Sequence, residues 1–112
     1  MNRYLTIPEE DILTDPESAG TVILRAASRT RRYGFQSLVP LGETLLIVLS
    51  DEPGVPVMDE YIFSPLRSSS ADAVAAEINQ RFAAGQRLLA SFPLGSALWG
   101  LYGRLDDEET LV

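Results

Sequence analysis

"TVILRAASRTRRYGFQSLV", residues 21–39, is the stretch whose reading decides the fold. Its first seven residues are β-branched and apolar and suit a strand. The last seven, "YGFQSLV", place Tyr33, Phe35, Ser37 and Val39 on one face of a second strand. Paired as a hairpin, the two halves make "SRTRR" a connecting loop, with Arg29, Arg31 and Arg32 projecting at one end of a sheet. Those three are among only nine positive charges, in a chain of net charge −7 and pI near 4.4.

Downstream, "ETLLIVLS" (43–50) is a continuous apolar run of strand length, as a central strand covered on both faces requires. "DEPG" (51–54) carries a turn signal, with Pro53 where φ is fixed and Gly54 where φ is positive. "VPVMDEYIFSP" (55–65) reads as a further strand between Pro56 and Pro65. "SSSADAVAAEINQRFAAG" (68–85) is a helix over about residues 70–84. Ser69 or Ser70 caps it, Asp72 favours its first turn and Gly85 ends it. Val74, Ile78 and Phe82 recur every fourth residue, flanked by Ala71 and Ala75, and are expected to be buried. "QRLLASFP" and "ALWGLYGRL" follow as strands joined by "PLGS".

Upstream, "TIPEEDIL" (6–13) reads as a short helix capped by Thr6, with Pro8 in its first turn and Glu9 completing a capping box. "TDPESAG" (14–20) reads as the turn that ends it. The expected fold is therefore α+β, a mostly antiparallel sheet with one main helix on one face and a short N-terminal helix. The expected organisation is an acidic N-terminal segment (1–20), a single α+β domain (21–105) and an acidic mobile tail (106–112). With 46% apolar and 22% charged residues the composition is that of a globular domain.

Chemistry is bounded by what is missing. The chain has no histidine, cysteine or lysine, and all its cations are arginine. The usual base near neutral pH, thiolate and zinc sites, Schiff bases and the phosphate-loop lysine are therefore unavailable. No cofactor and no metal are expected. The absence of cysteine and of any long apolar run points to the cytoplasm and away from membranes.

Charge falls in blocks. Residues 1–20 carry −4, 21–42 carry +4, 43–66 carry −5, 67–105 carry +2 and 106–112 carry −4. Three readings follow for the arginine loop: ion pairing inside the molecule, phosphate or nucleic-acid contact, or contact with another protein. The net charge repels a polyanion, so direct nucleic-acid binding is not expected. The carboxylates come in adjacent pairs, and neighbours such as Asp59 and Glu60 point to opposite faces of a strand, which opposes a shared metal ion. Scattered surface acid suits docking on a basic protein surface.

The expected function is that of a small acidic protein-binding factor, of inhibitor, immunity or accessory type, without catalytic activity. Its candidate contact residues are Arg29, Arg31, Arg32, Tyr33, Asp51, Glu52, Asp59 and Glu60. Two alternatives stand beside it. One is a ligand-binding domain or small enzyme holding an anion with Arg67, Ser68, Ser69 and Ser70 at a helix start. The other is a self-associating subunit, a homodimer for instance, that pairs exposed sheet edges.

Overall fold

In the computed structural model, which describes residues 2–28, 32–67 and 70–105, the class is α+β. The order is β1 (Asn2–Pro8), α1 (Glu9–Thr14), α2 (Pro16–Ala27), β2 (Gly34–Leu41) and β3 (Thr44–Ser50). There follow β4 (Met58–Leu66), α3 (Ala71–Ala83), β5 (Gln86–Leu94) and β6 (Ala97–Leu105). The described strands make two three-stranded antiparallel sheets, β1-β3-β2 and β4-β6-β5. Arg29, Arg31, Ser68, Ser69 and the expected tail at 106–112 lie outside the described residues.

Both middle strands are the ones whose sequences are most apolar. On β3, Leu45, Ile47 and Leu49 are fully buried and share the core with Ile7 and Phe35. Leu46 and Val48, on the opposite face, are only half-buried, so β3 is central in its sheet but covered on one side. On β6, Trp99 and Leu101 enter the same core, together with Phe63, Phe92 and Leu94. Phe63 and Phe92 meet edge to face, with ring centroids 5.9 Å apart.

Residues 21–27 are not a strand. They are the last turns of α2, and the connection they feed runs from helix to β2, not between two strands of a hairpin. The signal that starts this helix is "DPES". The Asp15 side chain accepts from the Ser18 backbone N–H at 3.2 Å and from the Ser18 hydroxyl at 2.7 Å, with Pro16 at the first helical position. Ala19, Gly20, Ile23 and Ala27 then form the buried face. Burial against β4 outweighs the β-propensity of Thr21, Val22 and Ile23.

Three further expectations shift. Thr6 lies in β1, paired with Leu46, and the short helix begins at Glu9, whose N–H donates to the Glu43 carbonyl at 2.8 Å. The register of β2 slips between Phe35 and Ser37, so Phe35 enters the core while Ser37 and Val39 turn to the other face. Helix α3 forms where its caps and periodicity put it, and Ser70 accepts from the Ala73 N–H at 3.4 Å. Its stripe is nevertheless not buried. Val74 and Ile78 are half-buried and Phe82 is 61% exposed.

The reason is a polar seam between α3 and the second sheet. Arg81 donates to the Ser64 hydroxyl at 2.8 Å and to Gln86 Oε1 at 2.9 Å, and its guanidinium lies 4.5 Å from the centre of the Tyr102 ring. The Tyr102 hydroxyl reaches Glu77 at 3.5 Å. Loss of solvent around Tyr102 is the first cause that raises its phenol pKa, and the nearby Glu77 charge adds to it.

Candidate functional site

Helix α2 and strand β4 meet with almost nothing between them. A Cβ on Gly20 would collide with the carbonyl of Tyr61, so glycine is what lets the helix lie directly on the strand backbone. Beside that contact runs a groove of about 490 Å³. Leu24, Ile62 and Phe63 contribute its apolar wall, and Glu17, Asp59 and Glu60 bring three carboxylates to it.

Each carboxylate is placed by a local feature. Glu17 sits in the first turn of α2, where the helix dipole favours an acid. Asp59 occupies a register shift between Met58 and Glu60. That bulge relaxes the strict alternation of strand faces, so Asp59 and Glu60 are both exposed and line the same groove. Glu60 accepts from Arg104 Nε at 3.4 Å. Among the described residues, Glu17 and Asp59 carry no side-chain ion pair. Tyr61, between these groups, is buried, and its hydroxyl has no hydrogen-bond partner among the described residues. Burial holds its phenol pKa well above the ordinary value.

The other sequence-predicted residues divide into three places. Arg32, Asp51 and Glu52 come together around a second cavity of about 470 Å³, which Arg87 and Ser50 also line. Opposite charges face one another there, and Arg32 and Asp51 both engage partners within the chain. The Glu52 N–H is taken by Ser50 Oγ at 3.1 Å. Tyr33 is not presented to solvent: it is 2% exposed, its N–H bonds the Ala27 carbonyl at 2.9 Å, and Arg3 lies over its ring. Arg67 and Ser70 border a shallow hollow with Leu66, Val74 and Leu98, and the Ser70 hydroxyl is committed to capping α3.

Glu17 was hidden from sequence reasoning because "DPES" reads equally as a turn. Its N-cap–proline pattern is the signal that finds it. Gly20 was hidden for the same reason, as a glycine that looks like a breaker.

What the groove offers chemically is an anionic, partly apolar surface for a cation that carries hydrocarbon, such as an arginine or lysine side chain with its stem. No group of three His, Cys, Asp or Glu that could hold a metal ion occurs among the described residues, and no helix of theirs is long and apolar enough to cross a membrane. The chain matches no family model, no curated protein and no solved structure.

Proposed function

We propose that this protein is a small, non-catalytic, cytoplasmic binding factor, of inhibitor, immunity or accessory type, that docks on a basic segment of another protein through the α2–β4 groove. The observation that carries the reading is the convergence of Glu17, Asp59 and Glu60 on one apolar-walled groove. Two of the three are without an ion pair among the described residues, in a chain of charge −7. Long-range attraction brings a basic partner to this side, and the half-buried Leu24 and Ile62 then give its side-chain stems something to bury against. The lack of His, Cys and Lys supports a binding role over a catalytic one. The anion-holding alternative at Arg67 and Ser70 draws less support, because that serine already serves the helix.

The test is titration of the full chain with a fluorescent peptide of alternating arginine and leucine, against an acidic peptide of equal length. Binding to the basic peptide alone is expected, weakening about tenfold between low and moderately high salt as the charges are screened. Glu17→Gln with Asp59→Asn should weaken it by a similar factor while far-UV circular dichroism is unchanged. Equal binding by the parent and the double variant would overturn the assignment of the groove.

A further inference from the structure

The β1-β3-β2 sheet has a second face that the fold leaves open. Its register sets Tyr4 beside Val48 and Ser37 in one row, then Thr6 beside Leu46 and Val39, and the next row ends on Leu41. Tyr4 is 61% exposed, Leu41 51% and Val39 40%. No side chain in these rows is charged, although 22% of the chain is. A partner can cover such a face without burying a charge, and the exposed Tyr4, Val39 and Leu41 gain from being covered.

We infer that this face is covered by the same face of a second copy of the chain. Charge selects that occupant. A basic partner finds no counter-charge here, whereas two copies, each at −7, can meet without burying a carboxylate. Shape supports it as well. A two-fold axis lying in the interface along the strand direction sets β1 of one copy against β2 of the other, because β1 and β2 flank β3 on opposite sides. Tyr4 then stands opposite Ser37 of the partner, large against small, and Thr6 opposite Val39. Pairing through the edge of β2 is less suited, since its register shift and Pro40 interrupt the row of backbone groups.

Size sets the strength. Three strands and three rows span roughly 14 Å by 20 Å from strand spacing and rise. A pair joined by that area buries less than the about 1,200–2,000 Å² of a standard stable interface, so the dimer is transient and forms as concentration rises. The same axis brings Glu43, exposed in the β2–β3 turn, towards its own copy at the rim. Screening that repulsion and the net charge should strengthen the dimer, opposite to the effect of salt on a basic partner in the groove.

Sedimentation equilibrium of the full chain from about 10 μM to about 1 mM reads the association directly. The expected result is a mass rising from one chain towards two, at lower concentration in high salt. Val39→Arg and Val39→Glu should each weaken association at least about tenfold, although one lowers the net negative charge and the other raises it. Tyr4→Arg, at a more exposed position, is the check should the Val39 variants lose their fold. A mass of one chain at every concentration would overturn the inference. So would a dimer that survives in the folded face variants, or one that salt dissolves. Basic-peptide binding by the Val39 variants is expected to match the parent, which separates failure here from failure of the groove.

Discussion

Arg3 on β1 lies with its guanidinium 4.6 Å from the centre of the Tyr33 ring and donates to the Ala26 carbonyl at 2.9 Å. One side chain thus ties the first strand to the end of α2 and to the residue just before β2. The carbonyl it takes is one that the end of a helix leaves without an intrahelical partner, and the helix dipole favours a cation there. Removing it loses a stacked cation and a charged hydrogen bond. Arg3→Ala should cost about 2–3 kcal/mol in urea denaturation. Arg3→Lys should recover only part of this, because an ammonium does not stack as a planar guanidinium does. Equal stability of all three proteins would show that the tie contributes nothing.

Gly20→Ala tests the helix–strand contact. In an exposed helix interior the change would stabilise by about 1 kcal/mol. Here the new methyl meets the Tyr61 carbonyl, a backbone atom that cannot swing aside. Overpacking of this kind costs about 1–3 kcal/mol, so net destabilisation is expected. The groove should also widen, and weaker binding of the basic peptide would accompany the loss of stability.

Tyr61 gives a pH prediction. Its hydroxyl is buried without a partner among the described residues, and its folded pKa is raised by that burial. Above the ordinary phenol pKa of about 10, the unfolded chain gives up this proton while the folded chain keeps it. The folded state then binds more protons, so stability falls as pH rises, by about 1.4 kcal/mol per pH unit for one such group. Below about pH 10 the group contributes no slope. Tyr61→Phe should be neutral or stabilising near neutral pH, since no hydrogen bond is lost, and should flatten the alkaline decline. Tyr102, whose pKa is raised too, leaves a residual slope in that variant. An unchanged alkaline profile would mean that Tyr61 ionises as freely in the folded protein as in the unfolded one.

How much was legible depended on how local each signal is. β3, the β5–β6 hairpin and α3 announce themselves over a few adjacent residues, through an apolar run, a turn at 93–96, and a serine cap with a terminal glycine. α2 does not, because Thr21, Val22 and Ile23 point to a strand, and the segment turns to helix through the burial of Ala19, Gly20, Ile23 and Ala27, while Thr21 and Val22 stay exposed. The slips at Gln36 and Asp59 leave no mark in the composition, yet they decide that Phe35 and Val39 part company and that Asp59 and Glu60 share a groove. The acids of the groove were half visible. Asp59 and Glu60 stand out as an adjacent pair, but Glu17 joins them only once α2 is a helix.

The attachment of α3 separates two readings of one helix. By periodicity Phe82 belongs to a buried stripe, and its loss would then cost about 3–5 kcal/mol. At 61% exposure it has little left to lose, beyond a contact with Arg87, whose guanidinium is 5.8 Å from the ring centre. Phe82→Ala should therefore cost less than about 1 kcal/mol. Arg81 is the residue that holds the helix down, through Ser64, Gln86 and the face of Tyr102. Arg81→Ala removes all three contacts and leaves the Glu77 carboxylate, which accepts from the neutral Tyr102 hydroxyl, without the nearby cation. A loss of about 2–4 kcal/mol is expected, larger than for Phe82. Amide exchange should locate it. In the Arg81 variant, protection should fall over 71–83 and at β5 while β3 keeps its own, since the polar seam fastens α3 and the shared core holds the rest. If Phe82→Ala proves the more damaging of the two, the helix is seated by its apolar stripe after all.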